Sequence, residues 1–361
     1  MVKEAFYDPQ KSYYENYDQG PFGGFADDEI FESALPPAKT FLGHSVTTTF
    51  GIPAGPLLNA QFVKAALDDG FDLPIYKTVR SREHTSHQHP NVLPVAVTGD
   101  LTLEKAGAGL TTKEDYEDPL SITNSFGVPS YDPDVWQSDV EEAVMHAKTG
   151  QLVGLSFQGT KWEDASSEEY IEDWVTTAKL AAATGAPYLE ANLSCPNEGT
   201  TALLCFDIER VGNISRQIKE AIGDVPLLLK TSYFEDEALL EALVKEVGGV
   251  VDGFATINTI AAEVRTPDGA QALPGEGRLR SGICGTSIKW AGIEMVERFA
   301  ALRHAHNMDY AIVGVGGITV ATDYADYLRA GADGAMSATG AMWNPGLGRD
   351  IHELLAKGYE I

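Results

Sequence analysis

The sequence predicts an α/β fold, a closed (β/α)8 TIM barrel, on two observations. From residue 46 onwards, apolar runs that end in small or polar residues alternate with stretches whose apolar residues recur at helical spacing. Eight such strand–helix units follow one another over roughly 310 residues, which is the repeat that closes a barrel. A doubly wound parallel sheet is the alternative arrangement of the same units.

The eight predicted strands are short and apolar. They lie at Phe50–Gly55, Ile75–Val79, Leu152–Phe157, Pro187–Ala191, Leu227–Lys230, Gly253–Asn258, Ala311–Gly317 and Gly334–Thr339. Helices are predicted at 61–69, 135–148, 167–184, 207–222, 236–246, 288–304, 320–330 and 348–358. The clearest amphipathic stripes are Ile171, Trp174 and Ala178 in one helix and Leu239 and Leu243 in another.

Two segments do not follow this rhythm. Residues 1–45 are rich in glycine, proline and aromatic side chains, so we expect an N-terminal arm, with the barrel domain spanning 46–361. The apolar run Leu120–Gly127 has no predicted helix before it, so we place it on a long excursion after the second strand, residues 80–134. Loops longer than about 12–15 residues are uncommon in compact domains, which predicts a functional segment or a lid.

Charge and composition restrict the function. The 361-residue chain has 53 acidic and 26 basic side chains and a net charge of −27, so partners that are nucleic acids or anionic membranes are not expected. No apolar run approaches the about 20 residues that cross a bilayer. The first twenty residues do not resemble a secretory signal. Three well-separated cysteines cannot build a disulfide framework, which predicts a reducing, cytoplasmic location.

The most informative motif is Asn-Leu-Ser-Cys-Pro-Asn at residues 192–197, directly after the fourth predicted strand. Two carboxamides, a hydroxyl and a thiol therefore emerge where a strand ends, which is where α/β folds hold their ligands. Each carboxamide offers one acceptor and two donors, so the pair can contact an amide- or imide-like ring from both sides. Cys195 supplies the titratable group of the motif.

Polar or small residues follow the other strands too, and in a barrel they all face one rim. They are Lys77, Ser156, Lys230, Asn258 with Thr259, Gly316 with Gly317, and Thr339. The glycine turn after the seventh strand, with the turn after the eighth, predicts a phosphate cradle, because backbone N–H groups and a helix N-terminus bind anions. The turn is not a Rossmann fingerprint, since it lies near the end of the chain.

The lysines allow two interpretations. Lys77 or Lys230 can neutralise negative charge that develops on a bound, electron-accepting ring. Alternatively, one of them forms a Schiff base, as the strand-end lysines of barrel aldolases do. The aldolase interpretation leaves Cys195 and the asparagines without a role, so it ranks second.

Together these motifs resemble the dihydroorotate dehydrogenase family. The resemblance runs from about residue 48 to the C-terminus and is carried by Lys77-Thr78, Asn124-Ser125-Phe126-Gly127, the 192–197 motif, Leu229-Lys230, Asn258-Thr259, Gly282-Ile283-Cys284-Gly285 and Gly316-Gly317-Ile318. Cysteine at position 195 is similar to the soluble class 1 enzymes, whereas the membrane-associated class 2 enzymes carry serine there. The resemblance implies an FMN-containing TIM barrel that oxidises dihydroorotate to orotate in pyrimidine biosynthesis.

The resemblance also implies roles for single residues. Cys195 corresponds to the base that removes the substrate C5 proton while a hydride passes from C6 to flavin N5, and Lys77 and Lys230 correspond to the lysines beside the flavin. Substrate contacts are implied for Lys77, Asn124, Phe126, Gly127, Asn192, Asn197, Asn258 and Thr259. Contacts with FMN are implied for Ala54, Gly55, Lys77, Thr78, Asn124, Ser156, Asn192, Lys230, Asn258, Gly282, Gly285, Gly316, Gly317, Ala338 and Thr339.

Some features depart from the family pattern. The excursion before Asn124 is longer than in the family, and the segment after Asn197 is unusual. The substrate therefore stays open between dihydroorotate and a related dihydropyrimidine, and a reductase acting on uracil-like rings is a further alternative. A reductase for tRNA dihydrouridine is disfavoured by the acidic surface. The non-enzymatic alternative is a phosphate-binding barrel without chemistry.

The resemblance implies a homodimer and an electron acceptor that is fumarate or a separate electron-transfer subunit. An iron–sulfur cluster would have to come from that subunit, because the chain has no Cys-x-x-Cys pattern. His84, His87 and His89 are close in sequence, but we expect no metal there and interpret them as solvated loop histidines, with a role in shaping the ligand mouth as the alternative. Cys205 and Cys284 are interpreted as small packing residues.

Overall fold

A ring of parallel strands forms the centre of the molecule. The computed structural model describes residues 5–27, 29–117, 120–194 and 203–359. The strands in these ranges are β1 (Lys39–Phe41), β2 (His44–Val46), β3 (Phe50–Gly51), β4 (Ile75–Val79), β5 (Val92–Pro94), β6 (Leu110–Thr111), β7 (Ser121–Asn124), β8 (Gly154–Phe157), β9 (Tyr188–Asn192), β10 (Leu227–Thr231), β11 (Gly253–Thr256), β12 (Ile260–Arg265), β13 (Arg280–Gly285), β14 (Ala311–Val315) and β15 (Gly334–Met336).

The order of strands around the ring is their order along the chain: β3, β4, β8, β9, β10, β11, β14 and β15. Neighbours are parallel, and β15 pairs back onto β3. Backbone hydrogen bonds close the remaining seam between β3 and β4, from Ile75 N to Ile52 O (2.9 Å) and from Lys77 N to Leu57 O (3.0 Å). The predicted TIM barrel is confirmed. The doubly wound alternative is wrong, because such a sheet leaves two edges open.

Eleven helices lie in the described ranges, and eight of them begin and end within two residues of the positions that the apolar periodicity predicts. The three short helices at Tyr13–Gln19, Leu103–Ala108 and Thr339–Trp343 were not predicted. The eleven helices are α1 (Tyr13–Gln19), α2 (Ala60–Asp68), α3 (Leu103–Ala108), α4 (Pro133–His146), α5 (Ser167–Ala182), α6 (Ile208–Ile222), α7 (Glu237–Val247), α8 (Lys289–Ala305), α9 (Ala321–Arg329), α10 (Thr339–Trp343) and α11 (Leu347–Ala356). In the part of the chain that the structure describes, none of these helices combines the length and the apolar character that a membrane span requires.

Local sequence signals explain where the helices begin. At α5, the Ser166 hydroxyl accepts a hydrogen bond from Glu169 N (3.1 Å), and the Glu169 carboxylate accepts one from Ser166 N (2.8 Å). This capping box satisfies two N–H groups that have no partner inside the helix. Asp207 caps α6 and Asp236 caps α7 in a similar way.

A β-hairpin fills the amino-terminal end of the barrel. Strands β1 and β2 pair antiparallel, and their buried Phe41 and Val46 join the apolar cluster of the barrel interior, which includes Leu228 and Val313. The Phe41 ring packs edge-on against Tyr188, the first residue of β9, with centroids 5.6 Å apart. Ligands are therefore expected at the opposite end of the ring.

The N-terminal arm packs on the barrel and reaches its carboxyl end. The fully buried Phe6 stacks on Phe25 at 4.3 Å, and Phe6 N donates to Met342 O (3.1 Å). The buried Asn16 side chain accepts from Asp8 N (2.8 Å) and donates to Asp8 O (2.9 Å), which fixes the turn before α1. The arm thereby holds Tyr7 against the ring of Phe126, with centroids 5.8 Å apart.

A second, five-stranded sheet covers the carboxyl end. Its order is β5, β7, β13, β12, β6. Strands β5, β6 and β7 come from the predicted excursion, and the apolar run at 120–127 contains β7. Strands β12 and β13 come from a second excursion between β11 and α8, which was not predicted. Residues 260–265 alternate between buried and exposed, as a strand with one covered face does. This strand begins only four residues after β11 ends, so the sequence gives no clear boundary between the two strands.

At the barrel seam the backbone of Gly51 lies so close to that of Leu73 that we expect a larger side chain at position 51 to destabilise the fold. A Cβ added at Gly51 would lie 1.9 Å from Leu73 O, and a backbone carbonyl cannot move aside as a side chain can. We expect Gly51→Ala to lower the free energy of unfolding by about 1–3 kcal/mol, measured by urea denaturation.

Gly107→Ala is the matched control, because its Cβ would meet no atom within 4 Å and it lies in α3. We expect this variant to be neutral or more stable by about 0.5–1 kcal/mol. Equal effects of the two substitutions would show that the seam is not the cause.

Candidate active site

A cavity lies at the carboxyl ends of the barrel strands, beneath the second sheet. Most of the residues singled out in the sequence line it. They are Ala54, Gly55, Lys77, Thr78, Asn124, Phe126, Gly127, Asn192, Lys230, Asn258, Thr259, Gly282, Ala338 and Thr339. The barrel supplies the floor, and the loop from Asn124 to Gly127 belongs to the lid.

Lys230 is buried below the cavity beside a buried acid. Glu190 precedes Asn192 by two positions on β9, so its side chain leaves the same face of the strand. Both Lys230 and Glu190 are at most 5% exposed. Burial lowers the pKa of Lys230, and the carboxylate of Glu190 opposes that shift. Burial likewise raises the pKa of Glu190, against the effects of Lys230 and a hydrogen bond with Ser156. Each group therefore favours the charged form of the other.

Lys77 occupies the other side of the cavity and lies among aromatic rings. Its Nζ is 3.4 Å from Gly55 O, 5.2 Å from the centroid of Phe126 and 5.7 Å from the centroid of Tyr13. The faces of the aromatic rings stabilise the ammonium group without neutralising it. Lys77 therefore offers a positive charge to a ligand next to Phe126.

A chain of hydrogen bonds orients the carboxamides of neighbouring strand ends. Asn258 Nδ2 donates to Ser194 Oγ (2.8 Å), Ser194 Oγ donates to Asn192 Oδ1 (3.2 Å), and Asn192 Nδ2 donates to Gln158 Oε1 (3.1 Å). Each member fixes the rotamer of the next, so the polar edges of Asn192 and Asn258 are preorganised for a ring. Neither Ser194 nor Gln158 was assigned a role from sequence.

Cys284 packs against the apolar core, as the sequence analysis expects, and it also lies at the cavity. Its thiol lines the cavity and accepts hydrogen bonds from Asn124 Nδ2 (3.3 Å) and Thr339 Oγ1 (3.3 Å). Burial raises the pKa of this thiol, so it stays protonated at neutral pH. It thus orients the Asn124 amide on the lid. Cys205, in contrast, is fully buried in the apolar core as expected.

Several predicted residues lie elsewhere. Ser156 is fully buried and bonds with Thr78 through their hydroxyl oxygens (3.0 Å), beneath the cavity instead of on its wall. Gly285, Gly316 and Gly317 are close to this end of the barrel but outside the cavity lining. Cys195 and Asn197 lie outside the described residues, so the predicted base stays a prediction from sequence.

The predicted phosphate cradle has the required backbone but a different helix contribution. Gly316 and Gly317 have φ angles of +133° and +66°, which favour glycine. The amides of Thr319 and Val320, however, already donate to the Asp323 carboxylate at 2.8 and 3.0 Å. Because this carboxylate compensates the positive end of α9, the glycine turn and the start of α10 are better placed to hold an anion.

The lid loop that carries Asn124 is tied down by a half-buried cluster of polar residues. His87 Nδ1 lies 3.1 Å from Ser125 Oγ, and His87 N donates to Phe126 O (2.9 Å). Asn91 exchanges backbone and side-chain hydrogen bonds with Ser125. His87 therefore shapes the ligand mouth. Among the described residues, no three His, Cys, Asp or Glu side chains lie close enough to hold a metal.

The cavity is electropositive inside a strongly acidic protein. Lys77, Lys230, Arg278 and Arg280 line it, and no aspartate or glutamate does so within the described ranges. The whole chain, in contrast, carries a net charge of −27. The charges that line the cavity therefore favour an anionic ligand.

Sequence reasoning missed Arg278 and Tyr7 as cavity residues. Arg278 sits between the two lid strands β12 and β13, which were not predicted. Tyr7 belongs to the arm, and no sequence pattern near it indicates a site. Its hydroxyl is buried without a hydrogen-bond partner in the described part of the molecule. Only the tertiary packing of the lid and the arm brings these residues to the cavity.

A closed parallel barrel with lysines, carboxamides and glycine turns at one rim has the architecture of a barrel enzyme. Comparison with known proteins gives the family: the chain belongs to the dihydroorotate dehydrogenases, whose family model matches residues 38–357. The protein is therefore an oxidoreductase that acts on CH–CH donors.

Individual relatives agree with this assignment. The chain is 34% identical to "Dihydroorotate dehydrogenase" of Dictyostelium discoideum over 363 residues, covering 97% of both chains. It is 27% identical to "Dihydroorotate dehydrogenase (quinone)" of Kineococcus radiotolerans, covering 86% of this chain and 79% of the relative. It is 26% identical to "Dihydroorotate dehydrogenase B (NAD(+)), catalytic subunit" of Desulforamulus reducens, covering 76% and 84%.

The buried pair below the cavity predicts a non-additive effect on stability. Lys230→Met alone leaves the Glu190 carboxyl buried without its counter-charge, and we expect a loss of about 3–5 kcal/mol in the free energy of unfolding. Combining it with Glu190→Gln removes the isolated charge, so the double variant should be more stable than Lys230→Met. Urea denaturation of the wild type, both single variants and the double variant measures the coupling, and additive losses would contradict it.

A half-buried histidine on the excursion, His84, predicts a pH dependence of stability. Burial, together with the charge of Arg80, lowers the pKa of His84 to about 4. The unfolded chain takes up this proton near pH ~6.5. Above pH ~6.5 His84 is neutral in both states and does not lower the free energy of unfolding. As the pH falls from ~6.5 towards ~4, only the unfolded chain binds the proton, so the free energy of unfolding decreases.

We expect His84→Gln to lose less stability than the wild type between pH 7.5 and pH 4.5, measured by urea denaturation at both values. Parallel losses in the two proteins would show that His84 does not contribute to the acid sensitivity.

Proposed function

We propose that this protein oxidises dihydroorotate to orotate in pyrimidine biosynthesis, with FMN as its cofactor. Membership of the dihydroorotate dehydrogenase family supports the reaction. The observation that carries the proposal is the cavity itself, which is lined by two lysines, two arginines and three asparagines and by no carboxylate among the described residues. Dihydroorotate is a cyclic imide with a carboxylate, and these are the groups that such a lining recognises.

The residues present fit FMN. Gly55 has φ +146°, and a Cβ added there would meet no atom within 4 Å, so the backbone leaves room on the cavity side. The glycine turn at 316–317 and the start of α10 suit the phosphate, and Thr78, Asn192, Lys230 and Ala338 suit the flavin ring. When bound, FMN supplies the acceptor for the two electrons that leave the substrate as a hydride.

The protein's own residues then hold the substrate and move one proton. Asn124, Asn192, Asn197, Asn258 and Thr259 would bind the polar edges of the ring. The backbone of Phe126 and Gly127 would bind its carboxylate near the ammonium group of Lys77. Carboxamides hold the neutral imide without adding charge, and the lid above them excludes water.

Cys195 would accept the substrate C5 proton on its sulfur. A free thiol has a pKa near ~8.5, so only a few per cent is ionised at neutral pH. A nearby cation raises the ionised fraction, and Lys77, which lies among aromatic rings, is the candidate. Lys230 would stabilise negative charge on the reduced ring, and Glu190 opposes the lowering of the Lys230 pKa by burial.

The remaining assignments rest on the family resemblance. We propose fumarate, or a separate electron-transfer subunit, as the electron acceptor, a homodimer as the assembly, and the cytoplasm as the location. We also propose that residues 1–45 are an arm of a barrel domain at 46–361. A related dihydropyrimidine is the second candidate substrate, because the lid loop with Asn124 ends an unusually long excursion.

The reaction predicts a colour change. Purified protein should be yellow with a flavin absorbance near ~450 nm, and dihydroorotate should bleach it in the absence of oxygen, because the substrate reduces the bound flavin. Bleaching by dihydrouracil but not by dihydroorotate would favour the second candidate. A colourless protein that rejects FMN would contradict the proposal.

If Cys195 is the base, its removal should slow the reduction of the bound flavin by dihydroorotate. We expect Cys195→Ala to retain FMN and to slow anaerobic bleaching by about 10²–10⁴-fold, which is the usual contribution of a general base. Cys205→Ala is the matched control, since this thiol is buried in the core away from the cavity. An unchanged bleaching rate in Cys195→Ala would exclude the thiol from the mechanism.

A further inference from the structure

Arg278 is a buried cation at the cavity whose charge has no acidic partner. The residue is 5% exposed and lines the cavity. Within the described residues, no carboxylate lies within 4.0 Å of its guanidinium, whereas eight other arginines have such partners there. Burying an uncompensated charge costs free energy, so an anion that enters the cavity compensates a charge already present.

The guanidinium also connects segments that are far apart in sequence. Arg278 Nη2 donates to Ser125 O (2.8 Å) and Pro90 O (3.3 Å), Nε donates to Ser125 Oγ (3.3 Å), and Nη1 donates to Gln88 O (2.8 Å) and to Pro274 O. These bonds join both lid excursions. They act on Ser125, which stands between Asn124 and the backbone of Phe126.

All five N–H groups of Arg278 are used in these bonds, and every acceptor is neutral. The guanidinium therefore keeps its full positive charge but has no free donor for a ligand. It can act on a ligand only through its field and through the loop that it holds. His87, which shares the Ser125 hydroxyl with Arg278, does not compensate this charge, because burial and the Arg278 charge both lower the pKa of His87 and favour its neutral imidazole.

We infer that Arg278 is a positioning residue that makes this site select a ring with a negatively charged substituent over the same ring without one. It places the peptide groups of the loop 125–127 towards the carboxylate and adds a buried positive charge behind them. This inference rests on the proposed function and specifies its substrate class. The ring contacts belong to the asparagines, so the charge of Arg278 affects the substituent and not the ring.

The test compares orotate with uracil, which share the pyrimidine ring and differ in the carboxylate. Dissociation constants for both ligands are measured on the oxidised, FMN-loaded protein from the change in flavin absorbance, without turnover. We expect Arg278→Gln to reduce the preference for orotate by about 10–100-fold, mainly by weakening orotate binding. Arg278→Lys, which keeps the charge, should retain the preference within about threefold even if both ligands bind more weakly.

Arg298→Gln is the matched control. Arg298 is also largely buried and donates to the backbone carbonyl of Phe234 (2.5 Å), but it lies on α8 away from the cavity. It should leave both dissociation constants unchanged. The inference is overturned if Arg278→Gln weakens the binding of orotate and of uracil by the same factor, or changes neither dissociation constant. The residue would then only support the lid. If Arg278→Gln does not fold, Arg278→Lys decides: a retained preference supports the inference and a lost preference overturns it.

The proposed function fails in a different way. In that case the wild-type protein is not bleached by dihydroorotate or does not bind orotate at all, and no variant is needed to see it. A wild-type protein that binds orotate tightly while Arg278→Gln keeps the same preference overturns the inference alone.

Discussion

The site depends on the closure of the barrel between β3 and β4. The hydrogen bonds from Ile75 N and Lys77 N across this seam bring the first strand of the ring beside the second, so that the ends of all eight strands lie on one circle. Lys77 then faces a cavity whose other walls are the ends of β9, β10 and β11. In an open sheet these residues would lie in a row, too far apart to surround one small ring.

Within this frame, polar groups are arranged so that each one fixes its neighbour. Glu190 and Lys230 stabilise each other's charge below the cavity, and the bonds from Asn258 through Ser194 and Asn192 to Gln158 orient the amides above it. Such buried networks are costly when incomplete. The site is therefore rigid at its floor. Its adaptable part is the lid, where Arg278 and His87 hold the loop that carries Asn124.

The strand ends could be predicted from sequence, because each motif directly follows an apolar run. Lys77, Asn192, Lys230 and Asn258 reach the cavity for that reason. The position of the Leu120–Gly127 run could be predicted as an excursion, but its pairing with β13 could not, because a pairing between strands more than 150 residues apart leaves no local signal. Arg278, Tyr7 and the thiol of Cys284 were missed for the same reason: tertiary packing alone brings them to the site.

The hairpin formed by β1 and β2 determines from which side small molecules reach the cavity. Because Phe41 and Val46 fill the amino-terminal end of the ring, the described residues leave no passage through the barrel along its axis. A reactant, its product and any second reagent must all use the lidded face. Entry of a reactant and departure of its product therefore share the one face of the barrel that the second sheet covers.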